Sequence, residues 1–446
     1  MEMILTHGAE KVLQTLEDAG FEAYIVGGAV RDSLMGIIPA DYDIATNAHP
    51  NQVKALFAHT IDTGIKHGTI TVIENKTGYE VTTFRSESGY SDMRHPNDVS
   101  FVEDVHEDLK RRDFTVNAMA YSPKRGFVDI FGGTEDIENR IIKCVGIAEE
   151  RFKEDALRML RAVRFAVCLN FDIAPEVSKA IRKCSVLIKN ISPERILGEL
   201  NKILLCDYPQ KVKILYETGL MQYIIPDLCV CFDTVQNNKF HIYNVGDHIM
   251  KALENTPNDL PLRWATLLHD IGKPACSCID QNGIYHFYGH HRESAKIADD
   301  VLHRLRMDKD SIRDIIILIE NHDVRIEANP PAIKRMLART GEKLFLKLLL
   351  LQEADNRAKN PKFLEEKLSK LHGVYNQYQT IIAEGQPYMT SHLQINGRDL
   401  IKLGFKTGRE IGDTLRTLLE EVVIDPSLNK REYLIKRAMF LKRKKS

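Results

Sequence analysis

Strand signals stop near residue 146, and this division constrains the fold more than any other feature of the sequence. Before it, short apolar runs alternate with helical stretches. Residues 6–20 carry an amphipathic helical pattern. Tyr24, Ile25 and Val26 form an apolar run that ends at Gly27 and Gly28, and a short helix follows. Tyr42–Ala45, Thr69–Glu74 and Tyr79–Phe84 have strand character. After residue 146 the apolar positions fall at helical spacing, with breaks near Pro226, Pro257, Pro274, Pro330 and Pro331. The expected architecture is an α+β head, a mixed sheet with helices over 1–145, followed by an all-α remainder. Within the head, residues 85–108 are polar and rich in turn formers, which predicts a long mobile loop. No fixed-period repeat runs through the chain.

Composition narrows the function classes. At 446 residues the chain should hold two to four domains, taking roughly 100–200 residues for each. With 43% hydrophobic and 28% charged residues it can build packed cores, which argues against disorder or coiled coil. The formal net charge of −1 gives no global attraction to nucleic acid, so any basic surface must be local. The N-terminus acquires charge too early for a signal sequence, and no apolar run reaches the ~18 residues of a membrane span. Eight scattered cysteines with no secretory signal predict reduced thiols and a cytoplasmic protein. Cys229/Cys231 and Cys276/Cys278 form C-x-C pairs rather than the C-x2-C spacing usual for zinc.

The stretch YIVGGAVRDSLMGIIPADYDIAT carries the first chemistry. Glycines where a strand hands over to a helix let the backbone approach a ligand, and helix-start amides favour phosphate. Arg31, one turn into that helix, suits a fork onto phosphate oxygens. Asp41 and Asp43 stand at i and i+2, so on a strand both point to the same face. Two adjacent carboxylates are costly unless a cation holds them. Hard oxygen ligands completed by phosphates and water describe Mg²⁺, and two such ions would activate a hydroxyl and stabilise leaving pyrophosphate. A surface Asx-turn is the simpler alternative. In LKRRDFTVNAMA, Arg111 and Arg112 fit a triphosphate clamp and Asp113 a ribose hydroxyl; a structural salt bridge would use the same residues.

EDALRMLRAVRF reads as one helix. At 100° per residue, Asp155, Arg158, Arg161 and Arg164 fall on one arc, while Ala156, Met159, Leu160 and Val163 face the other way. Three arginines and no lysine suggest planar, forked donation. Cytosine and adenine both present an exocyclic amine beside a ring-nitrogen acceptor. Asp155 can accept from the amine and Arg158 can donate to the ring nitrogen, whereas guanine and uracil present the opposite order. Rejection by unpaired polar groups can reach ~10⁴-fold, so a side-chain template is physically sound.

In order and combination, GGAVRD, DYD, RRDFTVNAMA, VDIFGG and EDALRMLRAVRFA resemble the class II tRNA nucleotidyltransferases, the family of CCA-adding enzymes and bacterial poly(A) polymerases. The resemblance covers roughly residues 20–205. It implies a head (1–145), a neck for base and RNA binding (146–206), a body (207–360) and a tRNA-binding tail (361–446). It assigns Gly28 and Arg31 to nucleotide phosphates and Asp41 and Asp43 to Mg²⁺. Arg112 falls to the nucleotide site and Asp113 to ribose choice. Asp155, Arg158, Arg161 and Arg164 become base- and triphosphate-binding residues, and Asp129 matches a further motif. The segment RSESGYSDMRHP resembles the flexible loop of enzymes that add the terminal A, and ED-x-x-R looks more like the CCA-adding pattern. The implied activity is addition of CCA to tRNA 3′ ends from CTP and ATP, with A-only or poly(A) addition as the alternative. No membrane or protein partner is implied.

A second constellation lies further on: His248, then LLHDIGKP with His269 and Asp270, then His290, His322 and Asp355. Adjacent His and Asp can bind one divalent ion, with distant ligands completing the shell. The ordered set resembles the HD phosphohydrolase superfamily over roughly residues 240–358. It implies a second divalent metal site and, where active, hydrolysis of 2′-phosphate or 2′,3′-cyclic phosphate at RNA ends. Some relatives keep such a domain with other activity or none. A chain that acts only as an HD metal phosphohydrolase, with an RNA-binding head, is therefore a third reading. His241 and His291 sit beside these ligands. The basic end KRAMFLKRKKS suits either a solvated helix or a phosphate-backbone contact.

Overall fold

The computed structural model describes residues 3–65, 68–90, 96–406 and 408–445. The chain divides into two compact units, Met1–Pro226 and Asp227–Ser446.

The first unit is built on a seven-stranded mixed sheet. Its strands are β1 (Ala23–Val26), β2 (Asp43–Thr46), β3 (Thr60–Gly64), β4 (Thr69–Glu74), β5 (Thr77–Thr83), β8 (Ala120–Ser122) and β9 (Gly126–Val128), in the order β3-β4-β5-β2-β1-β8-β9. β1 is an interior strand, antiparallel to β2 and β8, and all four of its residues are buried. Both faces of the sheet are covered, which is why β1 reads as a continuous apolar run instead of an alternating one. Ala23 and Ile25 enter one core with Val12, Leu13 and Leu16 of α1 (His7–Asp18); Tyr24 and Val26 enter the other with Phe84 and Leu109. α1 starts where Thr6 accepts a hydrogen bond from the Ala9 amide.

Between β5 and β8 the expected loop is largely structured. β6 (Arg85–Tyr90) and β7 (Pro96–Phe101) pair as an antiparallel hairpin, and α4 (Val105–Lys110) follows. The polar sequence hid the hairpin because its ladder is made of backbone groups and its base is held by charges: Arg85 and Arg111 both reach Glu87, and Arg111 reaches the buried Asp108 at 2.7 Å. Residues 91–95, the centre of the expected mobile loop, lie outside the described residues.

Beyond the sheet the unit is mostly helical, with α5 (Gly133–Glu138), α6 (Ala148–Glu154), α7 (Leu157–Leu169), α8 (Pro175–Cys184) and α9 (Pro193–Leu205); the all-α expectation is corrected at Asp172–Ile173, a short strand that pairs parallel with Ile141–Ile142. Asp129 accepts hydrogen bonds from the Gly133 and Thr134 amides, both at 2.8 Å, so this motif residue anchors the start of α5. α7 packs on α9, and Cys168 and Cys206 are joined by a disulfide with their Cα atoms 5.0 Å apart. The expectation of eight reduced thiols is corrected for this pair; a separation of 38 residues gave no sign of it.

The second unit is helical apart from a two-stranded hairpin, Ser277–Ile279 with Tyr285–Phe287. Four of its helices begin at these side-chain caps: Asn244 accepts from the Asp247 amide, Asp259 from Leu262, Asp308 from Ser311 and Asn329 from Ala332. A separate core toward the end of the chain gathers Leu400, Phe405, Leu418, Val422, Leu434 and Ala438. Among the described residues, no helix is long and apolar enough to cross a membrane.

Gly272 marks a close approach in this unit. A Cβ there would lie 2.4 Å from the Ser294 amide nitrogen and 2.8 Å from the Glu293 carbonyl carbon. Trp264, the only tryptophan, is wholly buried in the same unit, so its fluorescence reports unfolding there. Gly272→Ala should lower the stability seen by Trp264 in a urea titration by about 1–3 kcal/mol, the usual range for overpacking. An unchanged midpoint would refute the close packing.

Candidate functional site

The cavity of the first unit, about 660 Å³, opens where β1 ends. Val26 pairs with Asp43 across the β1–β2 ladder, which sets the carboxylate beside the Gly27–Gly28 turn. Gly27 has φ +71°, ψ −129°, a conformation open to glycine and costly for other residues, and a Cβ there would meet an Arg112 nitrogen at 3.0 Å. α2 (Gly28–Leu34) starts at this turn and carries Arg31, which donates to Asn117 at 2.7 Å and to Asp32 at 2.8 Å.

Ten residues singled out in the sequence line this one cavity: Gly27, Gly28, Arg31, Asp43, Arg111, Arg112, Asp113, Asp155, Arg158 and Arg161. Asp41 is exposed just before β2 and does not line it, although its charge acts on Asp43. Arg164 also lies outside the lining. It forms a 2.7 Å ion pair with buried Glu199 on α9 and stacks 4.2 Å over Phe165, whose ring Arg31 and Arg161 approach at 5.5 Å. Asp113 accepts from Arg161 at 2.6 Å. Burial alone would raise the Asp113 pKa, but Arg161 and, further off, Arg158 hold it below the usual carboxylate range.

The expected helix through Asp155 is broken. α6 ends at Glu154, Asp155 is extended at φ −142°, ψ 107°, and α7 begins at Leu157. Asp155 therefore does not share a helical face with the arginines. One of its oxygens accepts from the Leu157 amide at 3.0 Å and the other from Arg195 of α9 at 2.7 Å. A short acidic side chain competes with the helical ladder and favours such a break. Arg158 pairs with Glu154 and donates to the Arg151 carbonyl. Arg195, Asn117, Glu154 and Phe165 are cavity or partner residues that sequence reasoning missed, since each acts through a contact distant in sequence or through an unremarkable helix.

The second unit brings the six residues His248, His269, Asp270, His290, His322 and Asp355 into one buried cluster. His248, His269, Asp270 and Asp355 form one group of potential ligands, and Asp270, His290 and His322 another, with ligand atoms within 4.8 Å of one another in each. All four imidazoles donate from Nδ1 to a backbone carbonyl: His248 to Ala358, His269 to Thr266, His290 to Phe287 and His322 to Ile319. This fixes the tautomer that leaves Nε2 as a lone-pair ligand. The buried Nε2 atoms of His248 and His269 face the carboxylate oxygens of Asp270 and Asp355 at 3.0–3.8 Å, a converging donor set that fits a divalent ion. Lys273 reaches Asp270 at 2.6 Å, and Lys359 pairs with Asp355. Burial, Lys273 and His248 push the His241 pKa down to about 2, so it stands neutral beside the cluster.

Three family models match the chain: the Poly A polymerase head domain over residues 23–143, the Probable RNA and SrmB-binding site of polymerase A over 170–232, and tRNA nucleotidyltransferase domain 2 over 287–438. A CCA-adding enzyme of Ligilactobacillus salivarius is 35% identical over 435 residues, 96% of this chain and 94% of that protein. The chain belongs to the CCA-adding enzyme family. A relative from Levilactobacillus brevis, also a CCA-adding enzyme, is 52% identical over 216 residues; that match spans 48% of this chain and only 54% of the relative's length. The Bacillus stearothermophilus CCA-adding enzyme, solved in complex with CTP, superposes with a TM-score of 0.75 at 30% identity, covering 98% of each chain. The Thermotoga maritima enzyme complexed with tRNA matches in fold, with a TM-score of 0.60 at 19% identity. The nucleotidyltransferase fold implies use of a divalent metal.

The protonation of Asp43 tests that need. Asp43 keeps solvent access at the cavity mouth, yet desolvation by the surrounding protein first, then the neighbouring Asp41 and Glu80, push its pKa up from 3.8 to about 6, against the opposing pull of Arg112. Glu80 on β5, next to β2, thus adds a third carboxylate that the sequence did not flag. The folded chain binds this proton more tightly than the unfolded chain, so ionised Asp43 destabilises the fold above pH 6, and the effect fades as pH falls toward 3.8. Without divalent metal, Asp43→Asn should raise Tm at pH 7.5 and lose that advantage at pH 4.5. Adding Mg²⁺ should raise Tm for the unaltered chain more than for the variant. Equal Tm values at pH 7.5 would contradict the carboxylate repulsion.

Proposed function

We propose that this protein adds CCA to the 3′ end of tRNA from CTP and ATP, without a nucleic-acid template and in the cytoplasm. The observation that carries the reading is the single cavity where a carboxylate, a glycine turn and an arginine set meet, in a chain matched along its length by CCA-adding enzymes. Asp41 and Asp43, with Glu80 nearby, would hold Mg²⁺, which when bound activates the attacking hydroxyl and stabilises the leaving pyrophosphate. The tRNA 3′-oxygen bonds to the α-phosphorus, and the bond from that phosphorus to the pyrophosphate oxygen breaks. Backbone amides at Gly27–Gly28, with Arg31 and Arg112, hold the triphosphate. Asp113 positions Arg161 and serves ribose choice.

Asp155 keeps acceptor capacity beyond its two hydrogen bonds, because each carboxylate oxygen has two lone pairs. It can therefore accept the exocyclic amine shared by cytosine and adenine, with Arg158 at the ring nitrogen. Arg164, held by Glu199 and Phe165, supports the guanidinium set from behind. The family architecture assigns residues 1–145 to the head, 146–206 to the neck, 207–360 to the body and 361–446 to the tail, whose basic final helix suits the tRNA backbone.

Asp41→Ala and Asp43→Ala should each cut nucleotide addition roughly 10³-fold or more, since a catalytic metal is worth several kcal/mol of transition-state stabilisation. The assay uses tRNA lacking CCA, CA or A with all four nucleoside triphosphates, and reads the product ends by sequencing. Products ending in CCA from all three substrates support the reading. Extension only of the tRNA lacking A, or a homopolymer tail, would replace it with A-only or poly(A) addition.

A second reading concerns the other unit. The converging ligand atoms and fixed imidazoles support a divalent-metal phosphohydrolase centre at His248, His269, Asp270, His290, His322 and Asp355. Phosphate at RNA ends is the target class this reading favours. His269→Ala and Asp270→Ala should remove divalent metal bound by the chain, measured by elemental analysis after dialysis, and leave nucleotide addition within about 2-fold, because sites that share no partners act independently. Metal content equal to that of the unaltered chain would refute the cluster as a metal site.

A further inference from the structure

The cavity over the second cluster, about 390 Å³, carries a feature that the metal reading does not use. Two of its lining residues, His286 and Tyr288, stack their rings with planes 4° apart and centroids 5.3 Å apart. Tyr288 is 75% exposed. With His286 against one face of the ring, the other face stands open toward solvent.

The stack is built in advance of any ligand. His286 Nε2 lies 3.0 Å from an Asp280 oxygen, and Asp280 is itself fixed by hydrogen bonds from the Asn282 and Ile284 amides. Strand pairing sets His286 opposite Cys278. The platform is also tied to the metal ligands. The Phe287 carbonyl accepts from His290 Nδ1 at 2.9 Å, and Gly289, at φ +74°, turns the chain between Tyr288 and His290. A flat aromatic surface thus stands at a fixed separation from the cluster. Arg325 and Lys359 line the same cavity and supply cations suited to phosphate oxygens.

We propose that Tyr288, backed by His286, is a base-stacking subsite that selects nucleoside phosphates over other phosphate esters at the second cluster. The proposal rests on the phosphohydrolase reading of that cluster. The phosphate takes the cluster and its cationic rim, and the base lies on the open face of Tyr288. Every base has a π-face, so the subsite favours nucleotides as a class and discriminates little among bases. In the hydrolysis, a water oxygen bonds to phosphorus, the ester P–O bond breaks, and the sugar oxygen leaves with a proton as a hydroxyl.

The test compares the full chain with Tyr288→Ala and Tyr288→Phe, using adenosine 2′-monophosphate and glycerol 2-phosphate as probes. Trp264 fluorescence in a urea titration serves as the folding control, since Trp264 is buried in the unit that holds Tyr288. Tyr288→Ala should raise KM for the adenosine probe about 10-fold and leave the glycerol probe unchanged, while Tyr288→Phe behaves as the unaltered chain. Binding of the adenosine probe without hydrolysis, followed by calorimetry on metal-free chain, should weaken by a similar factor; the difference between variants cancels any binding in the head. Equal effects on both probes, or none on adenosine binding, would overturn the subsite. If neither probe is hydrolysed by the unaltered chain, the phosphohydrolase reading fails by itself, and the calorimetric comparison still decides the subsite.

Discussion

The first unit depends on holding many guanidinium groups in one place without letting them repel each other apart. Arg31, Arg112, Arg158, Arg161 and Arg195 all face a single cavity. Each is restrained from behind: Arg31 by Asn117 and Asp32, Arg112 by Asp108, Arg158 by Glu154, Arg161 by Asp113 and Arg195 by Asp155. The Phe165 ring is approached by three guanidinium groups, those of Arg31, Arg161 and Arg164. The carboxylates do more than balance charge. Asp108 is wholly buried, and burial raises its pKa, yet Arg111 and Arg112 hold it below the usual range. A ready-made cationic pocket of fixed geometry is what a triphosphate requires, because little of its binding energy is then spent on ordering side chains.

How much of this was legible in the sequence depended on whether the contact was local. Asp43 and Gly27 are joined by a strand register that two short apolar runs and a glycine pair already imply, and ten of the expected site residues do meet. The four-part helical face through Asp155 was not legible, because periodicity assumes an unbroken helix. The break at Asp155 is favoured by a side chain that bonds the next turn and finds Arg195 on another helix. The β6–β7 hairpin was missed for a related reason: its residues look like a loop by composition, and its base is pinned by Asp108 and Arg111 from α4 and the residue after it. Arg195, the Cys168–Cys206 bridge and Glu199 share one origin, the packing of α7 on α9, which no single segment announces.

In the second unit the ordered histidines were legible and the device that orients them was not. His269 and His322 each stand at the C-terminal end of a helix and donate to the carbonyl three residues earlier. His290 opens a helix and makes the same i−3 contact to Phe287. Helix ends leave carbonyls without intrahelical partners, so such a group fixes the tautomers of His269 and His322 at little cost, while a strand carbonyl serves His290. The motif HD thus reflects a helix terminus as much as a ligand pair.

The two carboxylate centres solve opposite electrostatic problems. In the head, Asp43 faces Asp41 and Glu80 with only Arg112 in opposition, and its pKa rises. In the second unit, burial would raise Asp270 and Asp355, but His269 and Lys273 act on the first and Lys359 with His248 on the second, and both fall well below the usual value. The head therefore presents unbalanced negative charge that a cation relieves directly. The second cluster presents charge already balanced by two lysines, so a divalent ion there must compete with Lys273 and Lys359 for the carboxylate oxygens. One chain thus holds one carboxylate centre whose charge is left unbalanced and another whose charge is neutralised from within.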